Sequence, residues 1–120
     1  MADVKIKVKV DINSTKINSR VEAGKKAMII SATEAVVKYG NIYVRVDKHK
    51  LEESALIASV PEKGLAIWDT PYAKKMYYTG TPSKDVNPNA SLMWADKGVK
   101  EHREQIDKIA QNAFEKGFGP

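Results

Sequence analysis

The sequence predicts an α+β fold: a small, mostly antiparallel sheet with a long N-terminal helix, a short helix after a central hairpin, and a C-terminal helix. Three patterns carry that prediction. Val4, Ile6, Val8, Val10 and Ile12 alternate with Lys5, Lys7, Lys9 and Asp11, the period-2 signature of a strand with one apolar and one charged face. Ile17, Val21, Met28, Ala32, Ala35, Val36 and Tyr39 recur at spacings of three, four and seven, which predicts a helix over 14–39. Val99, Ile106, Ile109, Ala110, Ala113 and Phe114 repeat that pattern in a last helix, which starts at Asp96 or Val99 and ends at Phe114.

The punctuation between these elements is equally specific. Asn13, Ser14 and Thr15 suit a turn or an N-cap before the first helix, and Gly40-Asn41 stops it. Gly24 inside that helix either weakens it or lets another backbone approach. Residues 43–51 read as a basic loop with some extended character. Leu56 to Val60 reads as a strand, Pro61-Glu62-Lys63-Gly64 as a turn, and 65–69 as a second strand, giving a hairpin with Glu62 and Lys63 at its tip. Thr70 then caps and Pro71 opens a short helix, with Tyr72, Met76 and Tyr77 on one side and Gly80 ending it. Residues 81–90, rich in Pro, Asn and Ser, form a long polar loop of the kind that makes contacts. Ser91 to Trp94 is a short apolar run, and residues 117–120 form a terminal tail. With 120 residues and no internal repeat, the expectation is one domain over 1–120.

Composition narrows the function classes. Hydrophobic residues make up 42% of the chain and charged residues 29%, ordinary values for a soluble globular protein. The absence of cysteine excludes disulfides and thiolate zinc sites and fits a reducing compartment. The N-terminus lacks the apolar core of a signal peptide and no run is long enough to span a membrane, so synthesis in the cytoplasm is expected. The net charge of +5 points toward nucleic acid or an acidic surface, yet it is carried almost wholly by lysine, with Arg only at Arg20, Arg45 and Arg103. Arginine is the usual reader of bases, so sequence-specific DNA binding is not expected, whereas non-specific tolerance of DNA is. Lys5, Lys7 and Lys9 form either a DNA-facing stripe or a solvent face that guards an edge strand.

No catalytic constellation is legible. The chain lacks a Gly-x-Ser-x-Gly elbow, a phosphate loop and a dinucleotide fingerprint. His102, between Glu101 and Gln105, is at most half of a metal site, and His49 stands in a charged context. Glu52 and Glu53 are neighbours that would point to opposite faces of an extended segment, a poor acid–base pair. The chain is therefore expected to be neither an enzyme nor the holder of a cofactor or metal. Trp68, Tyr72, Tyr77 and Trp94 are candidates first for the core and second for an interface, where Tyr and Trp are enriched.

Three landmarks follow one another in order: Leu56-Ile57-Ala58-Ser59, then Ile67-Trp68-Asp69-Thr70-Pro71-Tyr72-Ala73 with Tyr77 and Gly80, then Leu92-Met93-Trp94 before a helix ending near Ala113-Phe114. In these the chain resembles the small minor capsid and tail-component proteins of long-tailed bacteriophages, the tail-completion or head–tail joining proteins of the neck. The likeness spans nearly the whole chain. It departs from the family at Val46 to Leu56, where the Pro and Thr-Gly of a Val-Pro-x-x-Thr-Gly-x-Leu stretch are missing. The resemblance implies a virion protein made in the bacterial cytoplasm. It would assemble with itself into a ring, expected to be a hexamer, between the head-closure and tail-terminator proteins, with genome DNA passing through the lumen and no membrane involved. A ring needs two different patches per subunit. Glu62, Lys63, Trp68, Pro71, Tyr72, Tyr77, Trp94 and the 81–90 loop are the candidate interface residues; the basic N-terminal strand either faces DNA, with Lys5, Lys7 and Lys9 the candidate DNA-facing residues, or adds to a neighbour's sheet. Other readings are a small basic domain that binds nucleic acid non-specifically and a regulatory binding module with one host partner.

Overall fold

The computed structural model of the chain describes residues 3–10, 19–46 and 49–119. Two strands, β1 (Val4–Lys7) and β2 (Leu65–Trp68), pair antiparallel, with Val4 opposite Trp68 and Lys7 opposite Leu65. Five helices surround them: α1 (Ser19–Gly40), α2 (Lys50–Ala58), α3 (Ala73–Tyr78), α4 (Trp94–Glu101) and α5 (Arg103–Phe118). The α+β class, the long N-terminal helix and the C-terminal helix are as the sequence predicts. The strand predicted for Val4 to Ile12 is regular only to Lys7, though Val8 N–H still donates to Gly64 O at 2.6 Å. Residues 11–18, including the predicted helix start at 14–18, lie outside the described residues.

α1 and α5 run antiparallel in the most extensive helix contact of the fold. At one end Gly24 faces Phe114, and at the other Tyr39 stacks on His102 with ring centroids 4.4 Å apart. Gly24 makes room for a ring: the atoms nearest to a Cβ placed there all belong to Phe114. The apolar stripe of α1 is wider than one face, because Thr33 and Val37 are buried as well as Ala32, Ala35 and Val36. The helix thus packs on α5 along one side and on β2 and α4 along another.

The central hairpin is a correction. Residues 50–58 are helical, so Leu56 and Ile57 do not lie in a strand, and β2 takes β1 as its partner. The apolar run was too short for its period to separate strand from helix. Leu51 and Ala55, four residues apart, are the buried face of α2, and Glu52 and Glu53 sit favourably in its first turn. Of the hairpin the turn and the second strand survive, the latter as β2. Pro61–Lys63 form a 3₁₀ turn closed by Gly64 in the left-handed region (φ 70°), flanked by a single bridge between Val60 and Leu65.

The capping scheme of the short helix also changes. α3 begins at Ala73, two residues after Pro71, and the Thr70 hydroxyl caps nothing, being buried without a partner. Its carbonyl instead accepts from Ala73 N–H, forming a turn. Gly80 does adopt the left-handed conformation at the far end (φ 84°). The single predicted C-terminal helix is two helices, broken at His102 (φ −123°, ψ 27°). It starts earlier, at Trp94, and ends later, at Phe118. The predicted tail is shortened because Gly117 lies against the Ala23 carbonyl and Phe118 stacks on Phe114 at 5.9 Å. Arg20 fixes that end: its guanidinium lies 4.1 Å from the Phe118 ring centroid and donates to the Phe118 and Gly119 carbonyls, each at 3.0 Å.

α4 crosses the C-terminal end of α1 at backbone distance. A Cβ on Gly98 would lie 2.7 Å from the Gly40 nitrogen and from the Tyr39 carbonyl carbon and oxygen. Gly98→Ala is therefore expected to cost about 1–3 kcal/mol in urea unfolding, because two backbones must separate. Gly24→Ala meets only the movable ring of Phe114, and the gain of about 1 kcal/mol in helix propensity offsets the strain, so its midpoint should stay close to the parent's.

Candidate functional site

The motif that stood out in the sequence, Trp68 to Gly80, builds an aromatic knot. Trp68 leaves β2 fully buried, Tyr77 rises from α3 and Trp94 opens α4. The Trp94 ring meets Tyr77 edge-on at 4.7 Å and Trp68 at 6.1 Å, the arrangements that the ring quadrupoles favour. Trp68 Nε1 donates to Asn41 Oδ1 at 2.8 Å, which ties the knot to the residue that follows α1. Tyr77 O accepts from Met93 N–H at 2.8 Å, and the Tyr77 hydroxyl accepts from Asp96 N–H at 3.3 Å. The Trp94 indole N–H is buried without an acceptor, so packing alone holds that ring.

Trp68, Tyr77 and Trp94 are thus core residues, whose side chains face no partner, and the core half of the two-sided expectation holds for them. Pro71, Glu62 and Lys63 are exposed, and Tyr72 is half-buried. Lys5 and Lys7 on β1 and Lys9 just beyond it are all exposed to solvent. Lys5 pairs with Asp3 at 3.6 Å, and Lys7 Nζ donates to Lys63 O at 2.6 Å, which joins the lysine face to the 61–64 turn.

The 81–90 loop is irregular, as predicted, but pinned. Asn87 Nδ2 donates to the Ile42 and Val44 carbonyls, each at 2.9 Å, and Lys84 Nζ donates to Ala90 O at 2.8 Å. Arg45 reaches the end of α3, donating to Met76 O at 3.1 Å and Thr79 O at 2.6 Å, where a cation complements the helix dipole. His102 is tied into the fold by its ring. Its ring stacks on Tyr39, and its Nε2 lies 2.9 Å from the Tyr43 hydroxyl. Among the described residues no group of three or more His, Asp or Glu converges.

Sequence reasoning missed the most exposed apolar side chains. Leu56 and Ile57 are 73% and 86% exposed on the outer side of α2, and Val86 and Tyr78 are 64% and 56% exposed. The strand assignment hid the first pair by placing them in a sheet. Tyr78 stood in plain view in the aromatic run but was passed over for its neighbour Tyr77. Large apolar side chains in water mark interaction surfaces when they cluster.

Comparison with protein-family models, curated proteins and solved structures finds no match for this chain. Among the described residues no helix is long and apolar enough to cross a membrane.

Burial raises the Tyr77 phenol from its ordinary 10.0 to about 12, the backbone N–H of Asp96 opposing the shift in part. Between those values the unfolded chain gives up this proton and the folded chain keeps it, so stability falls as pH rises. Below pH 10.0 Tyr77 contributes nothing to the pH dependence. The expected loss by pH 12 is about 2–3 kcal/mol, measured as the difference in urea unfolding between the parent and Tyr77→Phe.

Proposed function

We propose that this protein is a structural component of the neck of a long-tailed bacteriophage, not an enzyme, and that it joins the DNA-filled head to the tail as one subunit of a ring. The observation that carries this reading is the display of large apolar side chains on separate elements: Leu56 and Ile57 on α2, Tyr78 on α3 and Val86 on the pinned loop. A head-to-tail ring uses two unlike patches per subunit, and the side chains on these different elements offer them. The resemblance of the Ile67 to Ala73 corner to the neck proteins supplies the setting. In that setting the partners are further copies of the chain, the head-closure and tail-terminator proteins, and the genome in the lumen. The virion is its final location.

A second reading, non-specific nucleic-acid binding, draws on Lys5, Lys7 and Lys9, which are all exposed to solvent. It predicts a log–log salt slope of about −3 for duplex DNA, lost on replacing the three lysines.

Electron microscopy of lysates from a phage with this reading frame interrupted tests the neck reading. Filled heads beside complete, unattached tails are expected, and intact virions would sink it. The patch on α2 has its own test. Leu56→Lys with Ile57→Lys should abolish ring formation in native mass spectrometry while shifting unfolding by no more than about 0.5 kcal/mol, since both side chains are exposed and cations suit the last turn of α2.

A further inference from the structure

The two edges of the sheet are finished differently. The Val8-to-Gly64 hydrogen bond fixes the phase of the ladder. Antiparallel pairing alternates, so the peptide groups of Val4, Ile6 and Val8 turn toward β2 and those of Lys5, Lys7 and Lys9 turn away. On β2 the same alternation turns Leu65, Ile67 and Asp69 outward, and each of those N–H groups is taken. Val60 O accepts the first at 3.1 Å, Ser59 Oγ the second at 2.9 Å and Ser54 Oγ the third at 3.0 Å. α2 and the residues after it therefore close that edge. On the β1 side no hydrogen bond among the described residues reaches the outward peptide groups of Lys5, Lys7 or Lys9.

A groove of about 660 Å³ runs beside this open edge. Residues 6–10, at the end of β1 and just after it, form one wall, and Val99, Ile106 and Ala110 form an apolar wall. Lys7, Lys9, Lys100 and Arg103 outnumber Asp96 and Asp107 around it, and Asp107 is already engaged by Arg103 at 3.5 Å.

We propose that this edge and groove bind an extended segment of a partner protein in which acidic and apolar residues alternate, adding a third strand to the sheet. Main-chain hydrogen bonds to Lys5 and Lys7 would supply pairing without regard to sequence. The period of two then sorts the side chains. One set falls beside the lysine face, where carboxylates oppose Lys5, Lys7 and Lys9, and the other falls into the groove against Val99, Ile106 and Ala110. A second copy of β1 does not fit, because its own lysines would stand across from these. Nucleic acid fits less well, because phosphates accept hydrogen bonds but donate none, which leaves the outward carbonyls of the edge unmatched. The proposal does not rest on the neck reading.

The test uses the full chain and two fluorescent peptides of about ten residues, one alternating Glu and Val, the other with the same composition in blocks. Anisotropy should show the alternating peptide binding at least about tenfold tighter. Lys7→Pro should lower that affinity by at least about tenfold, since its N–H faces away from β2 and proline is tolerated there. Lys9→Glu, at an exposed side chain, should weaken binding without unfolding the protein, as circular dichroism would verify. Amide exchange gives an independent readout. In the free protein the Lys5 and Lys7 amides should exchange fast and those of Ile6 and Val8 slowly, and the alternating peptide should slow the lysine pair. No binding, or equal affinity for the two peptides, would overturn the proposal. So would displacement by duplex DNA with the Lys5 and Lys7 amides still fast, which would mark a phosphate surface. Protection of those amides in the free protein with concentration-dependent dimerisation would assign the edge to a second copy instead.

Discussion

The interlocked packing of Trp68, Tyr77 and Trp94 is the contact on which the other parts depend. Each ring comes from a different element, and none of β2, α3 or α4 is long enough to be stable in isolation. Burying three large aromatic side chains in one place offsets the cost of ordering all three elements. The knot also sets where α1 ends, through the Trp68-to-Asn41 hydrogen bond, and where α4 begins, through the Tyr77 carbonyl that receives Met93. The close crossing of Gly98 on Gly40 follows from that placement, since only residues without a Cβ let the two backbones meet.

From this knot the fold extends as two bodies of contact. The α1–α5 pair forms a long antiparallel arm held at its far end by Arg20, Phe114 and Phe118. The sheet is small and asymmetric: the hydroxyls of Ser54 in α2 and Ser59 just after it close one edge, and among the described residues no hydrogen bond reaches the other. A two-stranded sheet is marginal alone, and here it stands on the face that α1 and the knot provide. The exposed apolar side chains lie outside this core, on α2, at the end of α3 and on the loop that Asn87 pins.

Much of this was legible in the chain. The alternation from Val4 gave a strand with lysines out, and the periodicity to Tyr39 gave α1, because burial against the core leaves its period in the sequence, although α1 buries more than one face. Pro61 to Gly64 gave a turn, and Gly80 a left-handed stop. What failed was local. Leu56-Ile57-Ala58-Ser59-Val60 carries no period within its short length, and the pairing of Leu65–Trp68 with Val4–Lys7 is a contact across the chain that no local pattern encodes. The break at His102 was equally hidden, since Val99 and Ile106 keep helical spacing across it while stacking on Tyr39 and the bond to Tyr43 place the ring.

Of the candidate site, the sequence by itself determined which residues were special: the aromatic corner, the lysine stripe and the turn at Glu62 and Lys63. These are matters of composition and short-range spacing. Only the tertiary structure decided which of them face outward. It buried Trp68, Tyr77 and Trp94, turned Leu56 and Ile57 into water, and left the outer edge of β1 with no hydrogen bond among the described residues, beside a groove with one apolar wall. Exposure depends on what packs from elsewhere in the chain, and a one-dimensional pattern does not contain that.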